Sequence, residues 1–298
     1  MGAITNILIT GGTGYLGSNL VETFLKKGFK VTVLKRETSN VKRLNHLINR
    51  IKLYDIETFD HKHFFETENI DCIVHTAASY GRKGESLSSI YNANLFFSIK
   101  LLEWSVEYNV KYFFYANTAL PQNLNSYSLS KKQFSEILKL ERGSVKVVDI
   151  ELQYFYGPGD DVSKLVTFVI SKIRNGDKSI NFSEGIQVRD FVYIADVMSA
   201  YLVLFDNAEN LPGYSNVQLG SGSGIELRYL IQKIKEAIGN NDLLLNFGAL
   251  PTRPNEIMYA VANIDFLTKL GWNPKYSIDQ GLIETINKEK QSLYDYYK

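Results

Sequence analysis

Asn6-Ile7-Leu8-Ile9-Thr10-Gly11-Gly12-Thr13-Gly14-Tyr15-Leu16-Gly17 is the stretch on which the fold turns. A short apolar, β-branched run passes directly into closely spaced glycines, and a helical pattern then continues to Lys27 before Gly28. The run predicts a fully buried strand, and Ser18 to Lys27 a helix ended by glycine. The glycines fit two spacings: Gly12, Gly14 and Gly17 as G-x-G-x-x-G, or Gly11, Gly14 and Gly17 as G-x-x-G-x-x-G. Glycine in a strand-to-helix turn allows a tight bend and close approach of backbone to a pyrophosphate. It also lets helix pack on strand, while the first turn of the helix offers unpaired N–H donors. Gly11, Thr13, Gly14, Tyr15, Leu16 and Gly17 are therefore the expected phosphate cradle of a dinucleotide.

Outward from that loop, short apolar runs alternate with helical patterns. Strands are expected at Val31 to Leu34, Asp71 to His75, Tyr112 to Ala116 and Val147 to Leu152. Helices are expected at Asn94 to Tyr108 and Tyr127 to Lys139. Strands that are apolar throughout and separated by helices imply a parallel sheet covered on both faces, a doubly wound α/β domain of the Rossmann kind. The second half is broken by Gly157-Pro158-Gly159 and by the Gly220-Ser221-Gly222-Ser223-Gly224 segment, with clear helices only at Leu165 to Asn175 and Leu227 to Ile238. The expected organisation is a dinucleotide-binding domain over residues 1–157, to which 187–215 return. A smaller, discontinuous α/β substrate-binding domain takes mainly 158–186 and 216–298.

Composition narrows the function classes. The 298 residues are 45% hydrophobic and 22% charged, an ordinary globular mixture. A net charge of +1 provides no long-range field for nucleic acid or an anionic membrane, so anionic ligands must be held locally. No apolar run approaches the roughly 20 residues that cross a bilayer. The single cysteine, Cys72, lies in an apolar run and reads as a buried structural thiol in a reducing cytoplasm. His46, His61, His63 and His75 are scattered and lack metal-ligand spacing, so no metal is expected.

Two further constellations carry chemistry. The second strand ends in Leu34-Lys35-Arg36, where a free ribose 2′-hydroxyl would usually meet a carboxylate. Cations there suit a 2′-phosphate, so Lys35 and Arg36 point to NADPH. Tyr127-Ser128-Leu129-Ser130-Lys131 puts a phenol and an ammonium on one helix face, a spacing at which the lysine can lower the phenol's pKa. Thr118, at the end of the preceding strand, can hold the substrate oxygen while Tyr127 donates a proton.

With the glycine loop, Thr118, Tyr127 and Lys131 in place, the chain resembles the extended short-chain dehydrogenase/reductase family, the NAD-dependent epimerases and dehydratases, along nearly its whole length. The resemblance implies an adenine contact at Asp55-Ile56, a cofactor loop at Thr76-Ala77-Ala78, a helix asparagine at Asn94, and a nicotinamide-side segment at Tyr154-Phe155. It implies nucleotide-diphosphate arginines at Arg189 and Arg253, and a homodimer built through the Asn94 and Tyr127 helices. Ser79, Tyr80 and Arg82, after the cofactor loop, are the implied sugar contacts. Ala119-Leu120-Pro121 stands where the dehydratases carry an acidic pair, and Tyr193 where many relatives have His. The implied reaction is therefore reduction at C4 of a nucleotide 4-ketohexose. Local segments are most similar to the reductases of CDP-4-keto-3,6-dideoxyhexoses. A reductase of another nucleotide 4-keto-6-deoxyhexose, a C4-epimerase that retains NAD, and a non-enzymatic NADP-binding relative are the alternatives.

Overall fold

The computed structural model describes residues 4–239 and 242–296. Its elements run in chain order as β1 (Asn6–Thr10), α1 (Tyr15–Lys26), β2 (Lys30–Lys35), β3 (Lys52–Asp55), α2 (His61–Glu68), β4 (Cys72–His75), α3 (Leu87–Tyr91), α4 (Phe97–Glu107), β5 (Tyr112–Thr118), α5 (Ser126–Glu141) and β6 (Lys146–Leu152). Then follow β7 (Tyr154–Tyr156), α6 (Leu165–Arg174), β8 (Ser179–Asn181), β9 (Val188–Tyr193), α7 (Ile194–Asp206), β10 (Tyr214–Leu219), β11 (Gly224–Glu226), α8 (Leu227–Ile238), β12 (Leu244–Asn246), β13 (Tyr259–Ala260), α9 (Asp265–Lys269) and α10 (Ile278–Tyr296).

The chain divides into two compact units. The first takes the residues up to Leu152 and returns for Tyr201–Gln218; the second takes Gln153–Ala200 and the rest from Leu219. The expected return of 187–215 therefore divides at Ala200. Val188–Tyr193 pairs with β7, β11 and β13, which keeps it in the second unit.

In the first unit a seven-stranded sheet has the order β10-β6-β5-β4-β1-β2-β3. Every pairing from β3 across to β6 is parallel, as expected for a doubly wound α/β sheet. Its central strands are buried on both faces: Ile7, Leu8 and Ile9 of β1, and Phe113, Phe114 and Tyr115 of β5, have no exposed surface. Such strands read as unbroken apolar runs because helices cover both sides. The two edge strands, β3 and β10, went unread in the sequence. Lys52-Leu53-Tyr54-Asp55 and Tyr214-Ser215-Asn216-Val217 mix polar with apolar residues, as edge strands do.

The Asn94 helix also departs from expectation. A π-helical turn over Asn92–Phe96 precedes α4, so the segment is a wide turn feeding a regular helix. Such turns are frequent where a side chain must be aimed. Here the turn carries Asn94, which is wholly buried.

In the second unit β9 is the organiser, flanked by β11 and β13 and paired with β7. Asp190 on β9 is buried and ties the glycine-rich segment down. Its carboxylate accepts from Ser221 N (2.7 Å), Ser221 Oγ (2.6 Å), Gly222 N (3.0 Å) and Ala262 N (3.1 Å).

Candidate active site

The glycine loop is built by exclusion of side chains. Gly11 has φ +72°, and a Cβ there would lie 2.5 Å from the backbone nitrogen of Ala77. A Cβ on Gly17 would lie 2.2 Å from the Gly11 carbonyl oxygen. The first contact brings the β1 turn against the β4 turn, and the second brings α1 against β1. Helix α1 starts at Tyr15, one turn earlier than the apolar pattern suggests, because Gly14 is its N-cap. No side chain caps that end, so the first-turn N–H groups stay available to an anion. The cradle therefore fits a dinucleotide pyrophosphate. Thr76 fixes the neighbouring turn, donating from its backbone N (3.0 Å) and its Oγ1 (2.8 Å) to the Thr10 carbonyl.

At the end of β2 the two expected cations part company. Lys35 and Asp55 are register partners on β2 and β3, and the Lys35 ammonium is bound to the Asp55 carboxylate. Arg36 is exposed and its guanidinium makes no ion pair among the described residues. Ile56 is half-buried just after Asp55. Sequence reading had set Lys35 against a 2′-phosphate and Asp55 against adenine; the fold gives each the other as partner.

The proton-transfer corner is assembled by β5 and α5. Thr118, the last residue of β5, is buried, and its Oγ1 accepts from Leu120 N at 3.2 Å. Asn125 caps α5 in a reciprocal capping box with Ser128, which sets the helix start and hence the direction of Tyr127. The Tyr127 hydroxyl is within hydrogen-bonding reach of Thr118. Tyr80 lies against Tyr127 with ring centroids 4.7 Å apart, and the Arg82 guanidinium sits 5.4 Å from the Tyr80 ring. Burial raises the Tyr127 phenol well above its usual range; Tyr80 adds to this, while Thr118 and Arg82 oppose it. The loop that bears these residues is pinned by Asn94, which accepts from Ser79 N (2.7 Å) and donates to Ser79 O (2.9 Å) and Ser130 Oγ (3.1 Å). Ala78 is half-buried before it.

Lys131 lies on the inner side of α5. It is 1% exposed, and its ammonium lies 4.0 Å from the centroid of the Tyr115 ring. Burial pulls its pKa down to about 7, and the Asp149 carboxylate opposes that fall. Behind the corner, His75 is wholly buried between Thr10 Oγ1 (2.6 Å) and Ser98 Oγ (2.7 Å). Burial, aided by the Lys131 charge, holds it well below the usual histidine range, so it is a neutral structural bridge.

In the second unit, Arg189 is 2% exposed. It donates to Val188 O at 2.8 Å and to Glu256 Oε1 at 2.5 Å, and its guanidinium lies 5.8 Å from the Tyr154 ring. Arg253 is exposed and makes no ion pair among the described residues. Phe155 sits on β7 opposite Val192 of β9. A groove of about 750 Å³ in this unit is lined by Phe191, Ser221, Arg228, Tyr229 and Tyr276 among others, and by neither Arg189 nor Arg253. Among the described residues no group of three His, Cys, Asp or Glu side chains is placed to hold a metal ion, and no helix is long and apolar enough to cross a membrane.

A glycine-cradled helix N-terminus on a parallel sheet, with a threonine–tyrosine pair at the end of β5, defines a dinucleotide-dependent enzyme class. Residues 7–220 match the model of the NAD dependent epimerase/dehydratase family, and the chain belongs to that family. It is 32% identical to a CDP-abequose synthase of Salmonella muenchen, over 95% of this chain and 98% of that protein. It is 28% identical to a CDP-abequose synthase of Salmonella typhimurium, over 95% and 97% respectively. Among solved structures it is similar to a UDP-glucuronic acid 4-epimerase from Bacillus cereus. That likeness has a TM-score of 0.86 and 21% identity, covers 97% of this chain and all of the other, and concerns the fold.

Asp149 and Tyr115, which line the Lys131 chamber, were missed in the sequence. The available signal was an acid inside the apolar run Val147-Val148-Asp149-Ile150, since a lone carboxylate in a buried strand demands a partner.

Proposed function

We propose that the chain reduces the C4 keto group of a CDP-4-keto-3,6-dideoxyhexose with NADPH, giving CDP-abequose or CDP-paratose. The observation that carries this reading is the placement of the Tyr127 phenol beside Thr118, where β5 ends and α5 begins. A phenol that keeps its proton at neutral pH has one to give to the alkoxide that forms when a carbonyl is reduced. The similarity along the full length of two CDP-abequose synthases supports the substrate class. Ala119-Leu120-Pro121, with no acidic side chain, disfavours an elimination step.

A bound NADPH would supply hydride to the carbonyl carbon. Gly11, Gly14 and Gly17 would hold its pyrophosphate, and Arg36 its 2′-phosphate. Thr118 and Tyr127 orient the carbonyl oxygen, and Tyr127 passes its proton to that oxygen as negative charge develops there. Arg253 is the available diphosphate contact; Arg189 would first have to release Glu256. We place the reaction in the cytoplasm, and the active form as a homodimer through α4 and α5, near which Phe96, Val106 and Leu140 are exposed.

One observation favours a second reading. Because Asp55 neutralises Lys35, the β2 end is less cationic than its sequence suggests, which suits an epimerase retaining NAD. Mixing the protein with NADPH and CDP-4-keto-3,6-dideoxyglucose, and following nicotinamide absorbance and sugar NMR, separates the two. Stoichiometric loss of NADPH with a single C4 configuration is expected. Tightly bound NAD in the purified protein, with no oxidation of NADPH by any nucleotide 4-ketohexose, would overturn the reductase reading.

A further inference from the structure

We infer that Asp149 is the buried counter-ion of Lys131, a positioning residue that keeps the lysine charged and fixes where its ammonium rests. The inference gives a role to a residue outside the family motifs, and it rests on Lys131 serving the reaction proposed above.

Three placements locate the pair. Tyr115 and Asp149 are register partners on the adjacent parallel strands β5 and β6, so their side chains project from the same face of the sheet, about 5 Å apart. The Lys131 ammonium rests on the Tyr115 ring on that face. One turn further along α5, Ser135 donates to Asp149 Oδ2. Residues i and i+4 share a helix face, which brings Lys131 over the same carboxylate. The Tyr115 hydroxyl closes the arrangement by donating to the Lys131 carbonyl at 3.2 Å.

The carboxylate is built asymmetrically. Its Oδ2 takes Ser135 and, at 2.6 Å, the Tyr214 hydroxyl. Its Oδ1 is buried and accepts no hydrogen bond among the described residues. A carboxylate with no exposed surface and an idle oxygen is costly unless a positive charge stands close by. The ionisable groups facing Lys131 are His75 from β4, Tyr115 from β5 and Asp149 from β6, with Tyr214 from β10 bonded to Asp149 and Tyr127 one turn away on α5 itself. His75 is neutral and the phenols are protonated, so Asp149 is the group in that chamber that can balance the ammonium.

A nearby negative charge favours the protonated lysine, and its removal must lower the lysine's pKa. Asp149→Asn keeps shape and leaves an oxygen to accept from Ser135 and Tyr214, while deleting the charge. The test is the titration of the Lys131 Cε–Nζ group by NMR in selectively labelled protein, with the pH profile of turnover as a second readout. The Lys131 midpoint should fall by at least one pH unit in Asp149→Asn. Turnover at pH 8 should then drop about tenfold with little change at pH 6, since one unit corresponds to a tenfold change in population. A merely structural role would depress turnover equally at both pH values. An unchanged midpoint would overturn the inference.

Should Asp149→Asn not fold, Tyr214→Phe carries the test. With the carboxylate left in place, Lys131 must titrate near its wild-type midpoint, and a fall of a full unit would show that the hydrogen-bonded scaffold, not the charge, sets it. A shift of the midpoint in a protein that turns over no nucleotide ketohexose would retain the counter-ion and reject the reductase reading.

Discussion

Two lysines of the first unit stand in opposite electrostatic situations, and the difference separates its inner corner from its outer rim. Lys131 lies under α5 with no exposed surface to speak of, on an aromatic ring, opposed to a carboxylate it does not touch. Lys35 lies at the end of β2, partly open to water, in direct contact with Asp55. At the rim solvent screens the pair and each charge is largely satisfied by the other. In the corner nothing screens, so the state of the lysine depends on what surrounds it. A buried cation near neutrality is adjustable; a paired surface cation is spent before a ligand arrives.

The sharpest way to break this contrast is at the corner. Tyr127→Phe removes the proton donor but leaves the cradle intact. Turnover should fall about a thousandfold, as expected for loss of a positioned general acid. NADPH affinity, measured by fluorescence titration, should stay within about twofold, because the phosphates are held by backbone. Loss of both together would mean that Tyr127 supports the fold of the loop instead of the chemistry.

At the rim the effects should be smaller and unequal. Arg36→Ala should weaken NADPH about tenfold to thirtyfold while sparing NADH, the scale of one charge-assisted phosphate contact. Lys35→Ala should cost less, about threefold, because its charge is already committed to Asp55. Equal losses from the two substitutions, read by calorimetry with both cofactors, would show that the Lys35–Asp55 pair opens when ligand binds. The gentlest perturbation is Asp55→Asn, which frees Lys35. NADPH binding should tighten by about twofold to fivefold and lose part of the gain at high salt. No tightening would place Lys35 out of reach of the 2′-phosphate.

The inner corner was the more legible of the two regions. Its motif residues are short-range in sequence: Tyr127 and Lys131 share a helix face, and Thr118 ends the strand before it. The glycine loop was equally plain, because a residue excluded by its own Cβ leaves a compositional mark. What the sequence concealed is long-range. Lys35 and Asp55 meet through a parallel register between two strands, the second of which, Lys52-Leu53-Tyr54-Asp55, is too polar to read as a strand. Arg189 and Glu256, far apart in the chain, meet because β13 pairs alongside β9, a contact no local pattern announces. The inward turn of Lys131 could not be read from helical spacing, which fixes a face but not the chamber that the face looks into.

The Tyr214–Asp149 hydrogen bond has a consequence for how the protein is made. Strand β10 completes the first sheet, yet it leaves the ribosome roughly 60 residues after β6, once β7, α6, β8, β9 and α7 have been synthesised. At about 5–20 residues per second that is a delay of several seconds. During that interval Asp149 lacks Tyr214, and the edge of β6 lies open. The last strand of this unit to be made is thus the one that brings the Tyr214 hydroxyl to the Asp149 carboxylate.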